Sequence, residues 1–222
     1  MSYGGYADRW RGHHRFTFKV PEKMTNEDAA TFFCAGVTTY NPLKTHNVGP
    51  GSKVGIVGIG GLGHFGIQFA KVALGAEVYA ISSSDRKKED AKALGAHHYL
   101  VSSGTADMKK HTKTLTHILC TSFGTDFPWA FYLSLLRTNG KFILVGLPEA
   151  PISGIRAGPL VSRQISIVGS IIGSPRTIRE MLEFAVEKGV KPWIQKYPMA
   201  DVNVALKAMH EGKARYRFVL EN

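Results

Sequence analysis

A chain of 222 residues with 44% hydrophobic and 20% charged residues has room for one good α/β core with smaller attachments and is short for two full domains. Its formal charge of +11 is scattered in small groups (residues 86–88, 109–113) with no long basic stripe, so nucleic acid is not the expected partner. No run approaches the ~20 apolar residues of a membrane span, and residues 1–16 lack the apolar stretch of a signal peptide, which makes a cytosolic protein the expectation.

Residues 15–21 alternate apolar and polar side chains and predict a strand that Pro21 ends. Thr25, Asn26, Glu27 and Asp28 supply cap and first-turn chemistry for a helix over residues 29–40. Gly49-Pro50-Gly51 is a turn, after which the pattern becomes regular. Strands are expected at 53–57, 77–81, 98–101, 116–120, 141–145 and 166–168, with helices at 64–74, 85–94 and 129–136 among them. Gly95 closes the second of these helices. Short apolar strands alternating with helices mean a parallel sheet covered on both faces. Beyond Ser174 come a helix at 177–188, a strand near 194–197, a helix at 201–211 and a last strand at 216–220.

Gly58-Ile59-Gly60-Gly61-Leu62-Gly63 fits G-x-G-x-x-G, with an apolar strand running in and a helix running out. Gly58 permits the tight turn, Gly60 lets the backbone approach a pyrophosphate, and Gly63 lets helix and strand pack closely. A plain strand-to-helix turn is the weaker alternative. In NAD-binding versions the second strand ends in a carboxylate that reads the ribose. Here that place holds Ser82, followed by Ser83, Ser84, Asp85, Arg86 and Lys87. Hydroxyls and cations hold a 2′-phosphate where a carboxylate would repel it, so Ser82, Ser83, Arg86 and Lys87 make a candidate pocket for NADP(H). The alternative makes residues 86–88 the exposed face of the next helix, with Asp85 as its N-cap. Cys34 and Cys120 show no zinc-type spacing and are expected to be free, buried thiols. His13-His14 and His97-His98 are adjacent pairs whose side chains would diverge on a strand, and both read as surface histidines.

Several of these segments together resemble the cinnamyl alcohol dehydrogenase branch of the zinc-dependent, medium-chain alcohol dehydrogenases. The resemblance runs from Gly4-Gly5-Tyr6-Ala7 and Phe18-Lys19-Val20-Pro21 through residues 34–40, the glycine loop, residues 82–87 and Gly169-Ser170-Ile171-Ile172-Gly173-Ser174 to Arg215-Tyr216-Arg217-Phe218-Val219. It implies a Rossmann doubly wound sheet over residues 36–190. Remnant segments of a GroES-like catalytic domain would flank it at 1–35 and 191–222. It implies an oxidoreductase that passes hydride between NADPH and an aldehyde or alcohol, and a homodimer paired through the last strand of the Rossmann sheet. Carried over by position, Thr38 packs near the nicotinamide, and Thr121 and Gly146 line the cleft. Ser170, Ile171 and Ile172 offer backbone contacts, and Cys34 corresponds to the last protein ligand of the catalytic zinc. The family's other zinc ligands and its proton-relay hydroxyl belong to a domain with no counterpart in these 222 residues. Zinc held by this chain alone is therefore not expected. The residues leave two readings open: a dehydrogenase impaired by truncation, or a non-catalytic NADP-binding module that pairs with full-length subunits.

Overall fold

The computed structural model describes residues 5–7, 9–103, 108–124, 127–148 and 151–222; Gly4 of the family motif lies outside them. Among the described residues six strands form one sheet: β1 (Lys53–Val57), β2 (Glu77–Ser82), β3 (His98–Val101), β4 (Leu115–Cys120), β5 (Leu136–Leu144) and β6 (Ser166–Gly169). Their order is β3-β2-β1-β4-β5-β6 with every neighbouring pair parallel, the doubly wound Rossmann arrangement. The strands are mostly apolar because both faces of the sheet are covered; all six residues of β4 are buried. Phe32, Phe65, Phe69, Val54 and Ile56 build the core on one face. Leu115, Ile118, Trp129, Leu133 and Phe142 build the core on the other.

The strand order reverses between β1 and β4, which opens a crevice at their carboxyl ends. The helical stretch after Thr25 borders it. Thr25 accepts from the Asp28 N–H as N-cap of α1 (Asn26–Thr31), and the run continues through a π turn at Phe32–Gly36 into α2 (Val37–Thr45). An ordinary helix was expected over this stretch. The π turn presents Cys34 to solvent, and it is not the buried thiol expected; Cys120 is buried.

The C-terminal segment folds back on the body. After the helix Pro175–Lys188, strands β7 (Ile194–Pro198) and β8 (Arg217–Glu221) form a two-stranded parallel sheet. Tyr216 is buried in the core that contains Phe65 and Phe69, and Trp193 packs against that core partly buried. Two expectations at the N-terminal end are corrected. Residues 15–21 form no strand; His14–Phe16 is a single 3-10 turn, and residues 17–21 pair with no strand among the described residues. On that turn His13 and His14 do not diverge but stack, with ring centroids 4.4 Å apart.

Candidate functional site

Each glycine of the loop meets a different constraint. Gly58 has φ +88, and a Cβ there would stand 2.5 Å from that of Ser122. At Gly63 a Cβ would fall 1.9 Å from the Gly58 carbonyl oxygen, so helix and strand can meet only without it. A Cβ added at Gly60 would meet no atom within 4 Å, and Gly60 lines the crevice. The hydroxyl of Thr121, at the end of β4, donates to the Val57 and Gly58 carbonyls at 2.9 and 3.0 Å and ties the two strand ends at the reversal point together.

A cavity of about 1350 Å³ opens beyond these strand ends, and nearly all the residues singled out in the sequence meet there. Gly58, Gly60, Gly61 and Leu62 line it from the loop, with Ser82, Ser83, Ser84, Arg86 and Lys87 at the end of β2. Thr121 and Gly146 line it from β4 and β5, Ser170, Ile171 and Ile172 from beyond β6, and Thr38 and Cys34 from the helical run. Gly63 stands behind the loop, buried against Gly58. The lining carries three cations, Arg86, Lys87 and Arg217, and no carboxylate among the described residues. Arg86 is exposed, whereas Lys87 is half-buried and donates to the Ile59 carbonyl of the glycine loop. Asp85 is no N-cap: Ser84 holds that place, without a side-chain cap bond.

Sequence reasoning did not single out Arg217 as a site residue. It belongs to β8, yet its Nε donates to the Gly61 carbonyl at 3.1 Å, and a Cβ at Gly61 would strike its guanidinium at 2.7 Å. Burial lowers its hold on the proton, and the partner its guanidinium meets is the Gly61 carbonyl, not a carboxylate. A desolvated guanidinium without a carboxylate on a cleft wall suits an anion. The Arg-Tyr-Arg-Phe ending was the only signal for it, and nothing local links that ending to the loop. His64, which opens the helix after the loop, was likewise passed over. It is fully buried, its Nδ1 lies 3.0 Å from the Gly61 carbonyl, and burial brings its pKa down to about 4. Asn41 donates to the Ile172 carbonyl at 2.8 Å and fixes the Ser170–Ile172 turn, where Ile172 itself adopts φ +33.

The donor set around Cys34 does not fit a catalytic zinc. Such a site needs about three protein ligands, and among the described residues no group of three His, Cys, Asp or Glu converges to hold a metal.

Fold and cleft together define a Rossmann-type α/β domain with a cation-rich crevice at its switch point. Residues 61–187 match the zinc-binding dehydrogenase family, and the chain belongs to it. It is 39% identical over 223 residues to a mannitol dehydrogenase of Petroselinum crispum, covering all of this chain and 65% of that protein. A cinnamyl alcohol dehydrogenase structure from Sorghum bicolor superimposes with a TM-score of 0.86 at 37% identity, over 91% of this chain and 57% of that one. A cinnamyl alcohol dehydrogenase from Helicobacter pylori, solved with NADP(H), gives 0.79 at 34% identity over 90% and 56%. The chain thus spans less than two thirds of these relatives' lengths. Among the described residues no helix is long and apolar enough to cross a membrane.

Proposed function

We propose that this chain binds NADP(H) in the crevice and is the cofactor-holding part of a cytosolic alcohol dehydrogenase of the cinnamyl alcohol dehydrogenase type. The observation that carries this reading is a cleft lined by three cations, several serine hydroxyls and, among the described residues, no carboxylate. The bare backbone at Gly60 and the guanidinium of Arg217 suit the pyrophosphate. Ser82, Ser83, Arg86 and Lys87 surround the place of the 2′-phosphate, and Thr38 and the Ser170–Ile172 backbone flank the nicotinamide end. When bound, the cofactor supplies the hydride exchanged with an aldehyde or alcohol. The residues of this chain bind it, orient it and cover one side of it.

In this reading residues 1–35 and 191–222 are portions of a GroES-like catalytic domain flanking the nucleotide domain at 36–190. Copies pair through β6, which is an edge strand of the sheet. The donor set around Cys34 favours a second reading for the chain by itself: a non-catalytic NADP-binding module or a partner of full-length subunits.

Titration calorimetry with both reduced cofactors tests the proposal. NADPH is expected to bind at least about tenfold more tightly than NADH, a difference of about 1.4 kcal/mol. Ser82→Asp places a carboxylate against the 2′-phosphate and should flatten or reverse that preference. Equal affinities in the unmodified protein would overturn the pocket assignment.

A further inference from the structure

The two residues before β8, Arg215 and Tyr216, reach back to the segment beyond β2. The Tyr216 ring lies parallel to that of His64, 5.4 Å between centroids and 10° between planes, and also meets Trp193 at 5.8 Å. Its hydroxyl donates to Asp90 Oδ2 at 2.5 Å, and Arg215 engages the same carboxylate oxygen. Asp90 belongs to the short helix Lys88–Ala93, about one turn beyond Lys87. The Lys87 ammonium stands 5.1 Å from the centroid of the Tyr216 ring while it donates to the Ile59 carbonyl. Lys87 is thereby held between the glycine loop on one side and an aromatic face on the other. The ring in turn is held by a carboxylate of the helix that Lys87 precedes.

We propose that Tyr216, oriented by Asp90, is a positioning residue that holds the Lys87 ammonium at the 2′-phosphate subsite and so sets part of the preference for NADPH over NADH. The inference rests on reading the crevice as an NADP(H) site. A lysine carries its charge on a flexible four-carbon stem, and ordering that stem when the ligand arrives opposes binding. An ammonium already placed over a ring face by cation–π attraction has lost that freedom beforehand. The ring works only if its tilt is fixed, and the Asp90 bond fixes it. The Asp90 charge is engaged by Tyr216 and Arg215, so it supports Lys87 without being presented to the phosphate. Burial and the neighbouring Arg86 and Arg215 weaken the hold of Lys87 on its proton, and the Asp90 carboxylate acts against them.

NADH lacks the phosphate that Lys87 would meet, so a positioning role separates the two cofactors. A merely structural role, with Tyr216 propping the loop through His64, would weaken both alike. The test measures NADPH and NADH dissociation constants by calorimetry for the 222-residue chain and its Tyr216→Leu, Tyr216→Phe and Asp90→Asn variants. Tyr216→Leu should weaken NADPH about three- to tenfold and NADH by less than about twofold. Tyr216→Phe keeps the ring and the core volume but loses the Asp90 bond; it and Asp90→Asn should each weaken NADPH selectively, by about twofold or more. In a Lys87→Ala background the Tyr216 substitutions should no longer change NADPH binding, because the group they position is gone. If Tyr216→Leu does not fold, the other two variants carry the decision. Equal losses for both cofactors, or an undiminished effect in the Lys87→Ala background, would overturn the inference. A preference abolished by Ser82→Asp yet untouched by the Tyr216 and Asp90 variants would sink this inference alone. No NADPH preference in the unmodified protein would sink the reading of the crevice and this inference with it.

Discussion

At the scale of single residues, the glycine loop separates two roles that its sequence presents alike. Gly63 is closed in, since its missing Cβ is what lets the helix sit on the Gly58 carbonyl at 1.9 Å from that position. Gly60 is open, since a Cβ added there would meet nothing within 4 Å, so an added methyl would stand in the space proposed for the pyrophosphate. Gly63→Ala is therefore expected to destabilise the fold by about 1–3 kcal/mol through overpacking, read as a lower urea midpoint. Gly60→Ala should leave that midpoint nearly unchanged and weaken NADPH by about tenfold or more, since the backbone could no longer approach the pyrophosphate. If both substitutions lowered stability equally, the division of labour would be wrong. The motif spacing made the loop readable because the turn, the close packing and the helix start are all local. Arg217 was not readable in this way. It lies 156 residues from Gly61 in sequence, and only the fold-back of β8 toward the glycine loop brings them into contact.

At the scale of elements, β1, β2, β3, β4 and β6 were readable to within a residue at each end, because short, mostly apolar runs bounded by turns are what a sheet buried on both faces requires. β5 was not: it begins at Leu136, where the helix over 129–136 was expected to end, and its exposed Arg137, Thr138 and Asn139 carry no apolar signal. The failures have physical causes too. The alternation over residues 15–21 signals a half-buried strand only if a partner strand exists, and among the described residues none lies beside it. The π turn at Phe32–Gly36 keeps a helical pattern of apolar residues while shifting which of them face solvent, so Cys34 reads as buried and is exposed. Burial also leaves a mark on pH dependence. His64 at the start of α3 (Gly63–Gln68) and His117 on β4 are both held neutral chiefly by desolvation, each with a pKa of about 4 where an ordinary histidine has 6.5. Between those values the unfolded chain binds protons that the folded chain refuses, so stability is full above pH 6.5 and is lost as pH falls toward 4. Moving from about pH 7.5 to about pH 5 should cost on the order of 1–2 kcal/mol for each histidine. Urea midpoints for the wild type and His64→Gln check this, because the carboxylates that titrate lower contribute equally to both profiles. Parallel profiles would show that His64 is not held neutral.

At the scale of the whole molecule, the residues proposed to bind the cofactor line one crevice from the glycine loop, the end of β2, the ends of β4 and β5, and the segment after β6. The cations, the loop and the Ser170–Ile172 turn all belong to the Rossmann body or to β8, which docks on it. Cys34 faces the same space from the π turn, and it also lines a neighbouring apolar groove with Met199, Val202 and Phe218. The 222-residue chain by itself is therefore expected to bind NADPH and to show little or no aldehyde reduction. One cysteine without converging companions among the described residues does not hold a metal in an open tetrahedral site. A substrate bounded only by the cofactor is not held in a reactive orientation, and orientation alone can account for about 7–11 kcal/mol of barrier. The check is NADPH oxidation by purified protein with aromatic and aliphatic aldehydes, together with zinc content by mass spectrometry. Cofactor binding with negligible turnover and well under one zinc per chain is the expected result. Robust, chelator-sensitive turnover with one zinc per chain would mean that Cys34 finds its companions by a rearrangement of the segments around the crevice, and the cofactor wall would then be half of a working active site.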